Sequence, residues 1–97
     1  MDENRVVTMA VEVVPLDRDA YRMVDRAIDV IARSGVQYEV GPMETTMEGP
    51  LDRLLEVAKA AHRAAFEAGA ERVVTIIKIG DSITGSTIAD KMAKYRP

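Results

Sequence analysis

Segments whose apolar residues recur at every second position alternate with segments where they recur at helical spacing, which predicts an α+β sandwich. The order is β-α-β-β-α-β, with a short helix closing the chain. Glycine and proline stand at nearly every change of period, where strands and helices must end. The 97 residues form one domain, spanning 1–97, because separate cores need roughly 100 residues or more each. A 47% hydrophobic share is ordinary for a globular chain and too high for intrinsic disorder.

The first strand is Val6 to Val14, rich in β-branched residues and stopped by Pro15. Val7, Met9, Val11 and Val13 make one apolar face, and Thr8, Ala10, Glu12 and Val14 make a mixed one. From Asp17 to Ser34 the period changes, with Tyr21, Val24, Ile28 and Ile31 as the inward stripe. Asp17 or Asp19 is suited to cap this helix, and Gly35 to follow its end. Val36 to Val40 and Met43 to Glu48 are two short strands across a Gly41-Pro42 bend, read as a hairpin or a bulged pair.

Pro50 opens the second helix and Gly69 lies beyond its end. Its apolar face holds Leu51, Leu54, Leu55, Ala58, Ala61, His62 and Ala65. Arg72 to Ile79 is the last strand, apolar on both faces apart from Thr75 and Lys78. Thr87 to Tyr95 suits a terminal helix with Ile88 and Met92 inward. Together these segments predict a ferredoxin-like βαββαβ sandwich: an antiparallel four-stranded sheet with two helices on one face. Right-handed crossovers place the first and third strands in the centre.

One phenylalanine and no tryptophan leave the core to Val, Ile, Leu, Met and Ala, and such a core is thin. The helix-free face of the sheet, with Thr8, Ala10, Val14 and part of the last strand, is too apolar for water and is expected to pack on another subunit.

Composition also excludes chemistries. Without cysteine there is no disulfide scaffold, thiolate zinc site or thiol nucleophile. A pI near 5.1 and three tyrosines argue against nucleic acid as a partner. No apolar run approaches the roughly 18 residues of a membrane span. The start Met1-Asp2-Glu3-Asn4-Arg5 lacks the basic flank and apolar stretch of a signal peptide, so a cytoplasmic location is expected. The arginines Arg5, Arg18, Arg22, Arg26 and Arg33, most of them on the outward face of the first helix, alternate with Asp17, Asp25 and Asp29, the pattern of a solvated face and not of an anion site.

Tyr38 to Gly49 is the densest run of side chains suited to a ligand: one aromatic ring, two hydroxyls, two thioethers and three carboxylates. Rings can lie against Met and Tyr while a carboxylate receives an amino group. The plainer alternative makes Glu44 and Glu48 ordinary solvent-facing strand residues. His62, the only histidine, lies in the apolar stripe of the second helix, where a hydrogen-bonded core residue competes with a ligand contact. With Ala58, Ala65 and Phe66 as neighbours it has no partner for a zinc pair.

The chain resembles the thiamine-binding protein family of YkoF-like, ferredoxin-like domains. The resemblance is carried by Val13-Val14-Pro15-Leu16, by Ile31 to Val40, by Gly41-Pro42-Met43-Glu44-Thr45-Thr46-Met47-Glu48-Gly49, and by His62 to Thr75. It implies a non-catalytic binding protein for thiamine or its hydroxymethylpyrimidine moiety, assembled as dimers and tetramers by packing of sheets. By position it points to Tyr38, Met43, Thr45, Glu48 and His62 around the ligand. Glu48 is suited to the aminopyrimidine amine, Thr45 to a ring nitrogen, and Tyr38 or Met43 to the ring face. No metal or other cofactor is expected, and the partners are the small molecule and further copies of the chain. In place of the family's acidic, Arg-containing loop stands Gly80-Asp81-Ser82-Ile83-Thr84-Gly85-Ser86. The rival readings are an oligomeric regulatory module of the same topology, like amino-acid-sensing domains, and an enzyme pairing His62 with Glu48.

Overall fold

The alternation of Val7, Met9, Val11 and Val13 with Thr8, Ala10, Glu12 and Val14 is carried through the central strand β1 (Val7–Pro15), which buries the first set. The computed structural model describes residues 4–96; the terminal Met1 to Glu3, on which the reading of the N-terminus partly rests, lie outside the described residues. The remaining elements are α1 (Ala20–Arg33), β2 (Gln37–Val40), β3 (Thr45–Gly49), α2 (Leu51–Glu67), β4 (Val73–Gly80) and α3 (Ile88–Met92), followed by a 3₁₀ turn at Ala93–Tyr95. The strand order is β2-β3-β1-β4, antiparallel throughout, so the first and third strands are central as the topology predicts.

The two long helices cover one face. Met9, Val11 and Met47 from the sheet meet Ile31 of α1 and Leu54, Val57 and Ala61 of α2 in one core. Met9, Ile31, Met47 and Leu54 are fully buried, each contributing about 1.5–3 kcal/mol by transfer of its surface from water. The alanines at 58, 61, 64 and 65 let α2 lie close to its neighbours, which is how a core without large aromatics fills its volume.

Local details depart from expectation in three places. Helix α1 starts at Ala20, and its buried residues are Met23, Ala27 and Ile31; of the expected stripe Ile31 is buried, Val24 and Ile28 are half-buried, and Tyr21 is 89% exposed. Asp19 occupies the cap position without a side-chain cap bond, whereas Gly35 does follow the helix in the left-handed region at φ 87°. Leu55 is exposed, because Val57 and Ala64 share the buried face of α2 in its place.

The arginine face is only partly a solvated one. Arg33 pairs with Asp29 at 3.0 Å, but Arg22 donates to the Ala68 carbonyl at 2.9 Å and Arg53 to the Ser34 carbonyl at 2.6 Å, tying each helix to the end of the other. Thr87 caps α3 by accepting the Asp90 amide, and Ile88 is buried as predicted.

Candidate functional site

Strand register sorts the suspected ligand residues onto two faces. Thr45 pairs with Val11 and Val40, and Met47 with Met9 and Tyr38, so Tyr38, Thr45 and Met47 share the helix-covered face. Thr45 is 4% exposed there, while Tyr38 lies half open on the edge strand. Glu48 pairs with Thr8 and Gln37 and therefore stands on the other face, with Thr46, Ala10 and Glu12. Met43 is in the β2–β3 turn and largely exposed, and the turn is closed by the Gly41 amide donating to Glu44 at 2.9 Å. Met43 and Thr45 meet in a cleft of about 90 Å³ beneath this turn, bounded by Val24 and Ile28 of α1. Within one chain, then, Met43 and Thr45 come together, and Glu48 and His62 stand apart from them.

His62 is half-buried on α2. Its Nδ1 lies 2.6 Å from the Thr75 hydroxyl of β4, and its ring meets Phe66 edge-on at 5.4 Å. This links helix to edge strand, the arrangement of a hydrogen-bonded packing histidine.

A second cavity lies on the open face, where it encloses about 350 Å³. Thr8, Ala10, Thr46 and Gly80 form its floor, and Glu44, Lys78 and Lys91 its walls. Glu44 and Lys78 are paired at 2.9 Å across the sheet. The Thr8 hydroxyl, almost wholly buried, lies 3.3 Å from the Gly80 carbonyl and 3.1 Å from the Ser86 hydroxyl. Ligand pockets commonly enclose about 300–1,000 Å³, which admits this groove and excludes the smaller cleft. Two other depressions, of about 300 and 400 Å³ and so equally within that range, run along the outer side of α1 and α2 and are walled by exposed Arg33, Arg53, Lys59, Arg63 and Glu67.

Sequence reasoning passed over the groove, although a signal for it existed: Lys78 is the one charged residue in a strand that is apolar apart from it and Thr75. The rest of the open face is different in kind. Val74 and Ile76 of β4 are nearly half exposed, beside half-buried Val14. At the far end of β4, Arg5 donates twice to Asp81, at 2.9 and 2.8 Å, and these bonds hold the Asp81 carboxyl below the usual carboxylate range. Arg96 likewise pairs with Glu39, bringing the C-terminal segment to the outer strand β2. Among the described residues no three His, Asp or Glu side chains gather as metal ligands, and no helix is long and apolar enough to cross a membrane.

This fold and sequence have known counterparts. A UPF0045 protein of Clostridium perfringens is 43% identical over 90 residues, covering 91% of this chain and 95% of the relative. The structure of a domain of unknown function, DUF77, from Bacillus cereus superposes with a TM-score of 0.92 at 51% identity, covering 99% of this chain and 96% of that one. A Thermotoga maritima structure named for thiamine biosynthesis or salvage gives a TM-score of 0.86 at 38% identity, covering 94% and 99%. The family model described as thiamine-binding protein matches residues 9–96, nearly the whole of the described structure. The chain belongs to the thiamine-binding protein family.

Proposed function

We propose that this protein binds thiamine or its hydroxymethylpyrimidine moiety without transforming it, in the groove on the open face of the sheet. The match of residues 9–96 to the thiamine-binding model is the observation that carries the ligand class. The groove supports the location, since its volume suits a two-ring molecule and its floor of Thr8, Ala10 and Thr46 leaves room for a flat ring. Glu44 is the carboxylate lining it and the acceptor for the ligand's amine, while Glu48 stands beside Thr8 on the same face, outside the groove's lining. In this reading Tyr38, Met43 and Thr45 shape the bent strand pair from its other side, and His62 secures α2 to β4.

The same face has a second role in this reading. Val14, Val74 and Ile76 complete their burial against another copy of the chain, giving a homo-oligomer built as a dimer of dimers. Titration calorimetry with thiamine and with hydroxymethylpyrimidine tests the ligand; saturable binding of either is expected. No heat and no thermal shift with both compounds sinks the proposal. Native mass spectrometry tests the assembly, and a clean monomer contradicts it.

A further inference from the structure

The open-face groove carries more positive than negative charge, in a chain whose net charge is −3. Its walls hold two ammonium groups, Lys78 and Lys91, against the single carboxylate of Glu44. Lys78 is already engaged by Glu44 at 2.9 Å. Among the described residues no carboxylate lies within 4 Å of the Lys91 ammonium. The groove's unbalanced charge is therefore that of Lys91.

Lys91 reaches the groove floor beside Gly80. A Cβ at Gly80 would stand 2.6 Å from Lys91 Nζ and 2.7 Å from Thr8 Oγ1, so the ammonium occupies space that only glycine leaves open. The helix that carries it is pinned on both sides: Ile88 is buried, Thr87 caps the first turn, and the Ser86 amide donates to the Val6 carbonyl at 2.8 Å. Thr8, bonded to Gly80 and Ser86, keeps its hydroxyl within the protein, which leaves the two lysines to meet a ligand's anion.

We propose that the Lys91 end of this groove is an oxyanion subsite, and that the protein selects the phosphate ester of its heterocyclic ligand over the unphosphorylated form. The heterocycle in this statement rests on the thiamine reading above, and the oxyanion subsite does not. The charge balance decides the preference. Thiamine brings one positive charge to a groove that already has an excess of one. A phosphate ester carries about −1.5 to −2 at pH 7, so the monophosphate of thiamine has a net charge close to −1 and neutralises the groove. The cationic or amino end of such a ligand replaces Lys78 at Glu44, and the released ammonium joins Lys91 at the phosphate.

Calorimetry with thiamine, thiamine monophosphate and inorganic pyrophosphate tests the subsite on the wild type and on Lys91→Met. The ester is expected to bind at least tenfold more tightly than thiamine, with an advantage that shrinks as salt is raised. Lys91→Met brings the two affinities together, and Lys91→Arg restores the gap. Lys91 is exposed, so its variants should fold, which thermal unfolding checks directly. As an independent variant, Gly80→Ala pushes the ammonium aside and is expected to reduce the ester's advantage. Equal binding of ester and thiamine by the wild type, or an ester preference untouched by Lys91→Met, overturns the proposal. If neither thiamine compound binds, the thiamine reading fails, and pyrophosphate decides the subsite: binding lost in Lys91→Met upholds it, and no binding overturns it.

Discussion

The two faces of the sheet are built from the same strands and have opposite fates. On one, Met9, Val11 and Met47 are sealed under two helices. On the other, their immediate neighbours Thr8, Ala10, Thr46 and Glu48 line or flank a groove, and Val14, Val74 and Ile76 stay open beside it. Along the central strands β1 and β3, a one-residue alternation thus separates the residues that hold the domain together from those that face the groove. Changes on the first face should cost stability, and changes on the second should alter binding and assembly.

The largest expected effect is on the sealed face. Leu54→Ala removes a fully buried side chain and should lower unfolding free energy by about 2–5 kcal/mol in urea titration. The matched change on the open face is Val74→Lys with Ile76→Lys. It should leave the monomer's stability within about 1 kcal/mol, since both positions are half exposed, while light scattering shows a smaller assembly. A loss as large as that of Leu54→Ala, in the monomer, breaks the division between faces.

Smaller effects sharpen it. Glu44→Gln should weaken thiamine by about 1–3 kcal/mol in calorimetry, and Glu48→Gln by less, because only Glu44 lines the groove. His62→Ala, which removes the Thr75 bond and the Phe66 contact, should cost about 1–2 kcal/mol of stability, leaving thiamine affinity unchanged. A lost affinity without lost stability would return His62 to the binding site. The smallest effect concerns Asp81. Its carboxyl titrates lower when folded, so its pairing with Arg5 favours the folded state above the ordinary carboxylate range and is lost as pH falls through the folded pKa. A slight drop in melting temperature at acid pH, absent in Asp81→Asn, is the expected sign.

The architecture was legible because period-two and helical segments are long and clearly punctuated. The β1 core face, the buried Ile88 and the positive-φ glycine after α1 all follow from local pattern. The inward stripe of α1 is less legible at its start, where Tyr21, one residue into the helix, is exposed and Met23 takes the core position. The site was harder still. Tyr38 to Gly49 looks like a cluster along the chain, but strand alternation sends Thr45 and Met47 inward and Thr46 and Glu48 to the other side. The groove depends on Lys78, Gly80 and Lys91, residues brought to Thr8 and Thr46 only by pairing of distant strands and by the return of the C-terminal helix.

That pairing also sets an order of assembly. Strand β1 forms first in the chain but has no partner nearby: its neighbours are β3, beginning at Thr45, and β4, where Gly80 pairs with Thr8. Only the β2–β3 hairpin and the helices can form from local contacts. During synthesis the most deeply buried strand of the protein must therefore wait, one edge after the other, until the residues of β4 have emerged. Long-range closure of this kind slows folding and leaves an unpaired Val- and Met-rich strand exposed in the interval. A chain interrupted before β4 would keep the helices and hairpin but lose one side of its central strand, so aggregation of shortened products, more than instability of the finished domain, is where the topology is vulnerable.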